Sequence, residues 1–397
     1  MLIAAAPGLG HLTYCTNIHA GETWPEVLDG LRTHLPAIKA RVAPDRPMGV
    51  GLRLSAAASE ALDRPGALED FAAFLRDGGY YVFTLNGFPY GTFHGKRVKE
   101  EVYLPDWGAA ERLTYTNRLC DQLAVLLPDG MQGSVSTVPG TFKTWAEGRV
   151  EAIAENLIAH AAHLVALRER TGRTVTLALE PEPCCFLETI AETVTFFEER
   201  LFTDAAAAAL AVRTGQSRGD AADALRRHLG LCYDVCHAAV EFEDPRASIA
   251  ALRRAGIGIF KLQLSAALRI ERVDAAAAAQ LAPFVEPVYL HQVVQSQGGR
   301  LTRFLDLPDA LAALGSGTGS EWRVHFHVPI FLDRLKDFST TQAFLREILA
   351  MHREQPISGH LEVETYTWDV LPDRYRGVPV GEAIARELNW VAQCLAS

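Results

Sequence analysis

Short apolar, β-branched or aromatic runs alternate with longer amphipathic segments along almost the whole chain. Such a rhythm restricts the fold severely, because consecutive parallel strands can be joined only through crossovers, usually helices. The predicted strands are Leu12–His19, Met48–Ser55, Tyr80–Phe88, Gly133–Val138, Val175–Glu180, Leu229–Asp234, Gly258–Leu264, Trp322–Ile330 and His360–Tyr366. Helices are expected over Glu26–Val42, Pro65–Asp77, Glu111–Leu127, Trp145–Arg170, Glu188–Leu201 and Thr340–His352. Eight βα units closing on themselves give an α/β fold, the (β/α)8 TIM barrel, with its working face at the strands' C-terminal ends. Nine candidates compete for eight places. Either the segment carrying His325 is an extra strand between the seventh and eighth, or one assignment is wrong. The competing doubly wound sheet lacks support, since the first βα turn has no G-x-G-x-x-G and no Walker-type loop occurs.

At 397 residues the chain exceeds the roughly 250 of a plain barrel. Two stretches read as inserts within a single domain spanning residues 1–397. Asp204–Arg227 is Ala- and Arg-rich and predicts a helical excursion between the fifth and sixth strands. Ile270–Ser320 combines an Ala-rich helix, the apolar run Val288–Val294 and a Gly/Ser-rich loop, and is expected to form a lid over the barrel mouth. The net charge of −10, with no Lys/Arg stripe, argues against a nucleic-acid partner. No basic leader precedes the first strand, and no run approaches the roughly 18 apolar residues of a membrane span, so a cytoplasmic protein without membrane insertion is expected. Seven cysteines without framework spacing fit a reducing compartment and read as small buried apolar residues.

Chemistry is expected where strand patterns end. Glu180, followed by Pro181 and Glu182, closes an apolar run, and a buried carboxylate there needs a cation or metal as partner. Asp234 ends the sixth strand, with His237 three residues on. Gln263 interrupts the apolar seventh strand and shares a face with Lys261, while Glu362 and Glu364 share a face of the last strand. Gathered inside a barrel, Glu180, Asp234, Gln263 and Glu364 make an oxygen-rich set suited to Mn²⁺, Mg²⁺ or Co²⁺, with Zn²⁺ possible if histidines join. His325 and His327 alternate with Val324, Phe326 and Val328 and so face one way, which makes His327 a candidate ligand or acid/base. Asn17, His19 and Asn86 end the first and third strands and read, with Phe88, Tyr90 and His94, as substrate-facing walls; Asn86-Gly87 as mere turn chemistry is the bland alternative. Trp24, Trp107 and Trp368 suit either ring stacking or core packing. Cys184, Cys185 and Cys236 lie beside proposed ligands, which leaves a zinc–thiolate site as a minority reading.

The order Glu, Asp-x-x-His, Gln, Glu at successive strand ends resembles the xylose isomerase-like TIM barrels, a superfamily of isomerases, epimerases, dehydratases and an endonuclease. In that superfamily's DNA-repair branch a histidine from the same connection joins a multinuclear zinc site, which is a further reason to weigh His327. The chain also looks like the EboE family of metabolite traffic proteins. The stretches carrying that likeness are Tyr14-Cys-Thr-Asn-Ile-His-Ala-Gly-Glu-Thr-Trp24, Thr84-Leu-Asn-Gly-Phe-Pro-Tyr-Gly91 with Phe93-His-Gly95, His325-Phe-His-Val-Pro329 and Glu362-Val-Glu-Thr-Tyr-Thr-Trp368. The resemblance implies a polar barrel site, a role in metabolite export or processing, and a membrane-protein partner in the same pathway; no defined reaction comes with it.

The leading expectation is a divalent-metal-dependent isomerase or epimerase acting on a small polyhydroxylated or 2-hydroxycarbonyl metabolite. Glu180 and Glu364 would exchange the α-proton, with His237 and Lys261, His325 or His327 fixing oxygens. The alternative is a non-catalytic metal- and metabolite-binding component of an export pathway. A nuclease ranks last, because the acidic balance disfavours a DNA groove.

Overall fold

The computed structural model describes residues 1–3, 7–372 and 377–396. Eight parallel strands form the central sheet: β1 (His11–Tyr14), β2 (Met48–Arg53), β3 (Tyr80–Asn86), β4 (Gly133–Thr137), β5 (Val175–Leu179), β6 (Leu229–Asp234), β7 (Ile259–Leu264) and β8 (His360–Val363). Each pairs with its sequence neighbour from β2 to β7, and β8 lies between β7 and β1. A bridge from Cys15 to Gly51 and the hydrogen bond from Thr13 Oγ1 to Gly49 O, 2.8 Å, span the remaining seam between β1 and β2. The result is a nearly closed (β/α)8 barrel, as the alternation predicts.

The helices fall near their expected places, including Trp24–Val42, Ala67–Gly78, Ala110–Leu126, Val150–Thr171 and Gln342–Glu354. Trp24–Val42 starts where Thr23 and Glu26 make a reciprocal capping box, with Pro25 in the first turn. Glu188–Leu201 is shorter than expected: its α-helix is Ile190–Phe196, opened by the Thr189/Glu192 capping box, and Phe197–Leu201 continues as a π-turn.

The ninth strand candidate lies outside the barrel. Glu321–Val324 belongs to a second, six-stranded antiparallel sheet between β7 and β8, with Leu268–Ile270, Val293–Gln297, Arg300–Phe304, Arg334–Leu335 and Phe338–Thr340. The supposed Gly/Ser-rich loop contains a hairpin turn in which Gly298 and Gly299 both take positive φ, +59° and +82°, as a tight two-residue turn requires. The other insert is helical as expected, in two pieces, Asp204–Thr214 and Arg218–His228, each capped by a hydroxyl, Thr203 or Ser217.

One sequence expectation needs correction. Val150–Thr171 is by length and composition apolar enough to cross a membrane, but half of that window is buried inside the protein. Ile153, Leu157 and Leu164 are its inward face, so its apolarity is that of a core helix.

The barrel interior is polar where a plain TIM barrel packs branched aliphatics. Lys261 and Glu362, both fully buried on adjacent strands β7 and β8, meet at 2.5 Å, and Lys261 Nζ also donates to Ser136 Oγ at 3.2 Å. Burial opposes the ammonium charge, but the Glu362 carboxylate outweighs it and raises the Lys261 pKa. Gly51 makes room for the pair, because a Cβ at that position would lie 1.7 Å from Glu362 Oε1. Removing one partner strands a buried charge. Lys261→Met is therefore expected to lower stability by about 3–5 kcal/mol, and Lys261→Met combined with Glu362→Met to recover most of it, read from chemical denaturation. Equal losses in the single and double variants would contradict a compensating pair.

Candidate metal centre

The C-terminal ends of the strands gather a buried constellation whose placement follows from local structure. Asp234, the last residue of β6, caps the short helix Val235–Val240: its Oδ1 accepts from His237 N at 2.9 Å and from Ser265 Oγ at 2.7 Å. That cap explains the Asp-x-x-His spacing, since it turns the His237 ring back toward the mouth. It leaves Asp234 Oδ2 without a hydrogen-bond partner. Glu180 follows β5 directly and is buried with Oε2 also unpartnered. Glu364 follows β8, and its Oε1 accepts from Asn17 Nδ2 at 2.7 Å and Asn86 Nδ2 at 3.2 Å. Glu180, Asp234 and Glu364 each bring a carboxylate oxygen within 4.8 Å of the others. Gln263, paired in register with Asp234 and Glu362, lies fully buried beside them with its Nε2 unpartnered.

Burial and mutual repulsion raise the carboxylate pKa values. Glu180 is held well above the usual range by desolvation and then by the charges of Glu364 and Asp234. Desolvation, then Asp234 and Glu362, push Glu364 up to about 7.

Beside the carboxylates stand three histidines. His325 and His327 leave the Glu321–Val324 strand with alternating direction, so that Phe326 and Val328 enter the core while both imidazoles enter the site. Each ring presents Nδ1 to an acceptor: His237 to Pro181 O at 2.8 Å, His325 to Gln292 Oε1 at 2.7 Å and His327 to Glu364 O at 2.9 Å. The Gln292 amide is oriented by its Nε2, which donates to Tyr103 Oη, Glu182 Oε1 and Pro183 O. Nδ1 therefore carries the proton in all three rings and Nε2 the lone pair. The Nε2 of His325 lies 3.2 Å from those of both His237 and His327. The Tyr366 hydroxyl, 3.5 Å from His325 Nε2, can supply one proton but not satisfy three lone pairs. A divalent cation among them would satisfy these lone pairs.

Burial disfavours a charged His237, but Asp234 and Glu182 outweigh it and raise the pKa. His325 and His327 are depressed by burial and by the neighbouring rings, His327 to about 4. The donors fit a divalent cation at two adjoining places, one walled by carboxylates and one by imidazoles, with Asp234 within reach of both. Each imidazole's hydrogen-bonded Nδ1 provides the outer support that metal-binding histidines need.

The other predicted residues are less uniformly placed. Asn17 and Asn86 line the cavity together with His325. His19 does not reach it: its ring stacks on His34 at 4.0 Å and bonds Tyr14 Oη at 3.1 Å. Lys261 lies in the Glu362 ion pair inside the barrel and is not among the residues lining the cavity. Trp24 packs on Phe71, Trp107 is fully buried on Thr137, and Trp368 is buried in the core, so none of the three lines the cavity. Tyr90 packs on Tyr115, and His94 bonds Asn17 O. Of the thiols only Cys236 joins a metal-capable group, with His325 and His327; Cys184 and Cys394 are half-buried and the other five fully so.

Sequence reasoning left Glu182 without a role, although it groups with His237 and His325 and its Oε1 accepts from Tyr103 Oη at 2.8 Å. Gln292, Tyr103 and Tyr366 were missed entirely. Tyr103 and Tyr366 lie in 3-10 turns and Gln292 in a loop, where no strand or helix periodicity marks them.

The fold is that of the xylose isomerase-like TIM barrels. A magnesium complex of such a protein from Mycobacterium smegmatis superposes with a TM-score of 0.51 and 11% identity, covering 98% of this chain and 97% of the other. The IOLI protein with a bound zinc atom (TM-score 0.46, 14% identity, 98% of each chain) and a xylose isomerase domain protein from Alicyclobacillus acidocaldarius (0.44, 15%, 97% and 98%) are also similar. No family model and no curated protein sequence matches the chain.

The raised carboxylates give a signed expectation. A carboxyl whose folded pKa exceeds its unfolded value stabilises the fold below the unfolded pKa and loses that contribution as pH rises through the folded one. Metal-free protein should accordingly lose stability between about pH 4.5, the ordinary glutamate value, and about 7, the folded value for Glu364. Protein saturated with Mn²⁺ or Zn²⁺ should show a much flatter dependence, because the cation replaces the protons. Thermal melts across that range, with and without metal, check this.

Proposed function

We propose that the chain is a divalent-metal-dependent isomerase or epimerase of small 2-hydroxycarbonyl or polyhydroxylated metabolites. The observation that carries this is the pair Glu180 and Glu364, two buried carboxyl groups with raised pKa values, facing one cavity beside a set of cation ligands. When bound, a divalent cation supplies Lewis-acid stabilisation for the developing enediolate charge. Glu364 is placed to take an α-proton as its carboxylate, and Glu180, protonated from solvent, to return one to the neighbouring carbon or opposite face. Asn17 and Asn86 fix the Glu364 carboxylate by donating to Oε1, which directs Oε2 toward the reacting carbon. His237, its Nδ1 tied to Pro181 O, presents Nε2 as the acceptor for a substrate hydroxyl.

Motif likeness to the EboE family supports a further proposal, that the chain works in the cytoplasm and passes its metabolite to a membrane-protein partner. Fractionation of host cells with and without that partner tests this. Recovery in the soluble fraction regardless of the partner would contradict hand-over through a stable complex.

Glu180→Gln and Glu364→Gln each keep an oxygen ligand while removing the titrating group. Each is expected to slow exchange of a substrate's α-hydrogen with solvent deuterium by about 10²-fold or more. Wild-type exchange rates in both variants, with metal retained, would refute the assignment. Absence of exchange in the metal-loaded wild type, across 2-hydroxycarbonyl compounds that bind, favours the non-catalytic metabolite-binding alternative.

A further inference from the structure

The cavity has two unlike ends. At the inner end lie the carboxylates and imidazoles described above. Outward, the wall of the cavity is built by Phe88, Phe93, Val98, Val102, Tyr289 and Leu290. These come from two segments, the loop after β3 and the connection entering the second sheet, which are joined where Val98 N and Lys99 N both donate to Val288 O, at 2.9 and 3.0 Å. The Phe93, Tyr289 and Tyr366 rings already pack on one another, with centroids 5.0–5.3 Å apart.

Most polar groups along this wall are committed to the protein, Asn17 Oδ1 being an exception. Lys99 Nζ donates to Glu286 O at 3.1 Å, Tyr289 O at 2.6 Å and Asp306 Oδ2 at 2.6 Å, which uses all three of its protons. Tyr103 Oη is held between Glu182 and Gln292, and the Asn17 and Asn86 amides are held by Glu364. A sugar lying in this space would find few partners for its hydroxyls away from the inner end. Each buried hydroxyl left unpaired costs roughly tenfold or more in affinity.

We infer that the substrate class of this site is a compound with a vicinal-oxygen head and an apolar body, aromatic or aliphatic, rather than a free sugar. The head rests on the function proposed above; the body rests on the wall alone. It follows that the polyhydroxylated half of the proposed substrate range is disfavoured, and that side-chain carbons beyond the reacting centre add affinity at roughly threefold to fourfold per buried methylene.

A hydroxamate series separates the two parts, since each member carries the same chelating head. Calorimetric titration of Mn²⁺- or Zn²⁺-loaded protein is expected to show octanohydroxamate binding at one per chain, at least tenfold more tightly than acetohydroxamate, with gluconohydroxamate no better than acetohydroxamate. Leu290→Asn and Val98→Asn should each remove several-fold of the octanoyl gain while leaving acetohydroxamate affinity within about twofold, which also shows that the variants are folded. Equal affinity across the series, or tightest binding of gluconohydroxamate, would overturn the inference. If the tail preference persists in chelator-treated protein and octanoate binds as well as octanohydroxamate, the apolar body stands and the metal-dependent reading of the head falls.

Discussion

Three carboxylates that cannot all be ionised together are the constraint around which this barrel is arranged. Glu180, Asp234 and Glu364 bring oxygen atoms within 4.8 Å of one another in a buried site. At an effective dielectric constant near 20, each such pair of unit charges repels by at least about 3.5 kcal/mol, so three pairs approach the whole stability of an ordinary domain. Evolution of a stable fold around uncompensated repulsion of that size is not plausible. Protons relieve it in part, as the raised pKa values of Glu180 and Glu364 record. A divalent cation relieves it fully, and would settle the three imidazole lone pairs that converge alongside.

The surrounding structure serves that arrangement at two levels. Beneath it, the Lys261–Glu362 pair places a compensated charge inside the barrel, in space that Gly51 leaves open. Beside it, the second sheet delivers His325 and His327 from outside the barrel, and Glu387 on the C-terminal helix anchors the adjoining backbone by accepting from Ile330 N and Thr365 Oγ1. Part of the extra length thus completes the site, since the Ile270–Ser320 insert contributes the Tyr289 and Leu290 wall and the segment that follows it contributes His325 and His327.

Much of this was legible in the residues. Period-two and helical patterns located all eight barrel strands, because strands buried on both faces read as continuous apolar runs. Polar residues ending those runs, Glu180, Asp234 and Glu364, stood out because burial of an isolated carboxylate there has no explanation other than a partner. Of the second sheet only the segment beginning at Trp322 was read as a strand and Ile270–Ser320 as a lid, since strands such as Leu268–Ile270 and Arg334–Leu335 are too short to show alternation. His19 was misplaced because β1 ends at Tyr14: the 3-10 turn Thr16–Ile18 takes Asn17 into the mouth and leaves His19 outside it. Gln292 and Tyr103 act through long-range contacts that no local pattern encodes.

The most direct measurement is a metal titration read by elemental analysis after dialysis, comparing wild type with Asp234→Asn, whose residue both candidate cation places share. Wild-type protein is predicted to retain at least one equivalent of divalent metal per chain, and Asp234→Asn to lose most of it while remaining folded. Wild-type protein that retains none, and whose melting temperature is unmoved by Mn²⁺, Zn²⁺ or a chelator, would contradict a cation as the element that reconciles the buried carboxylates.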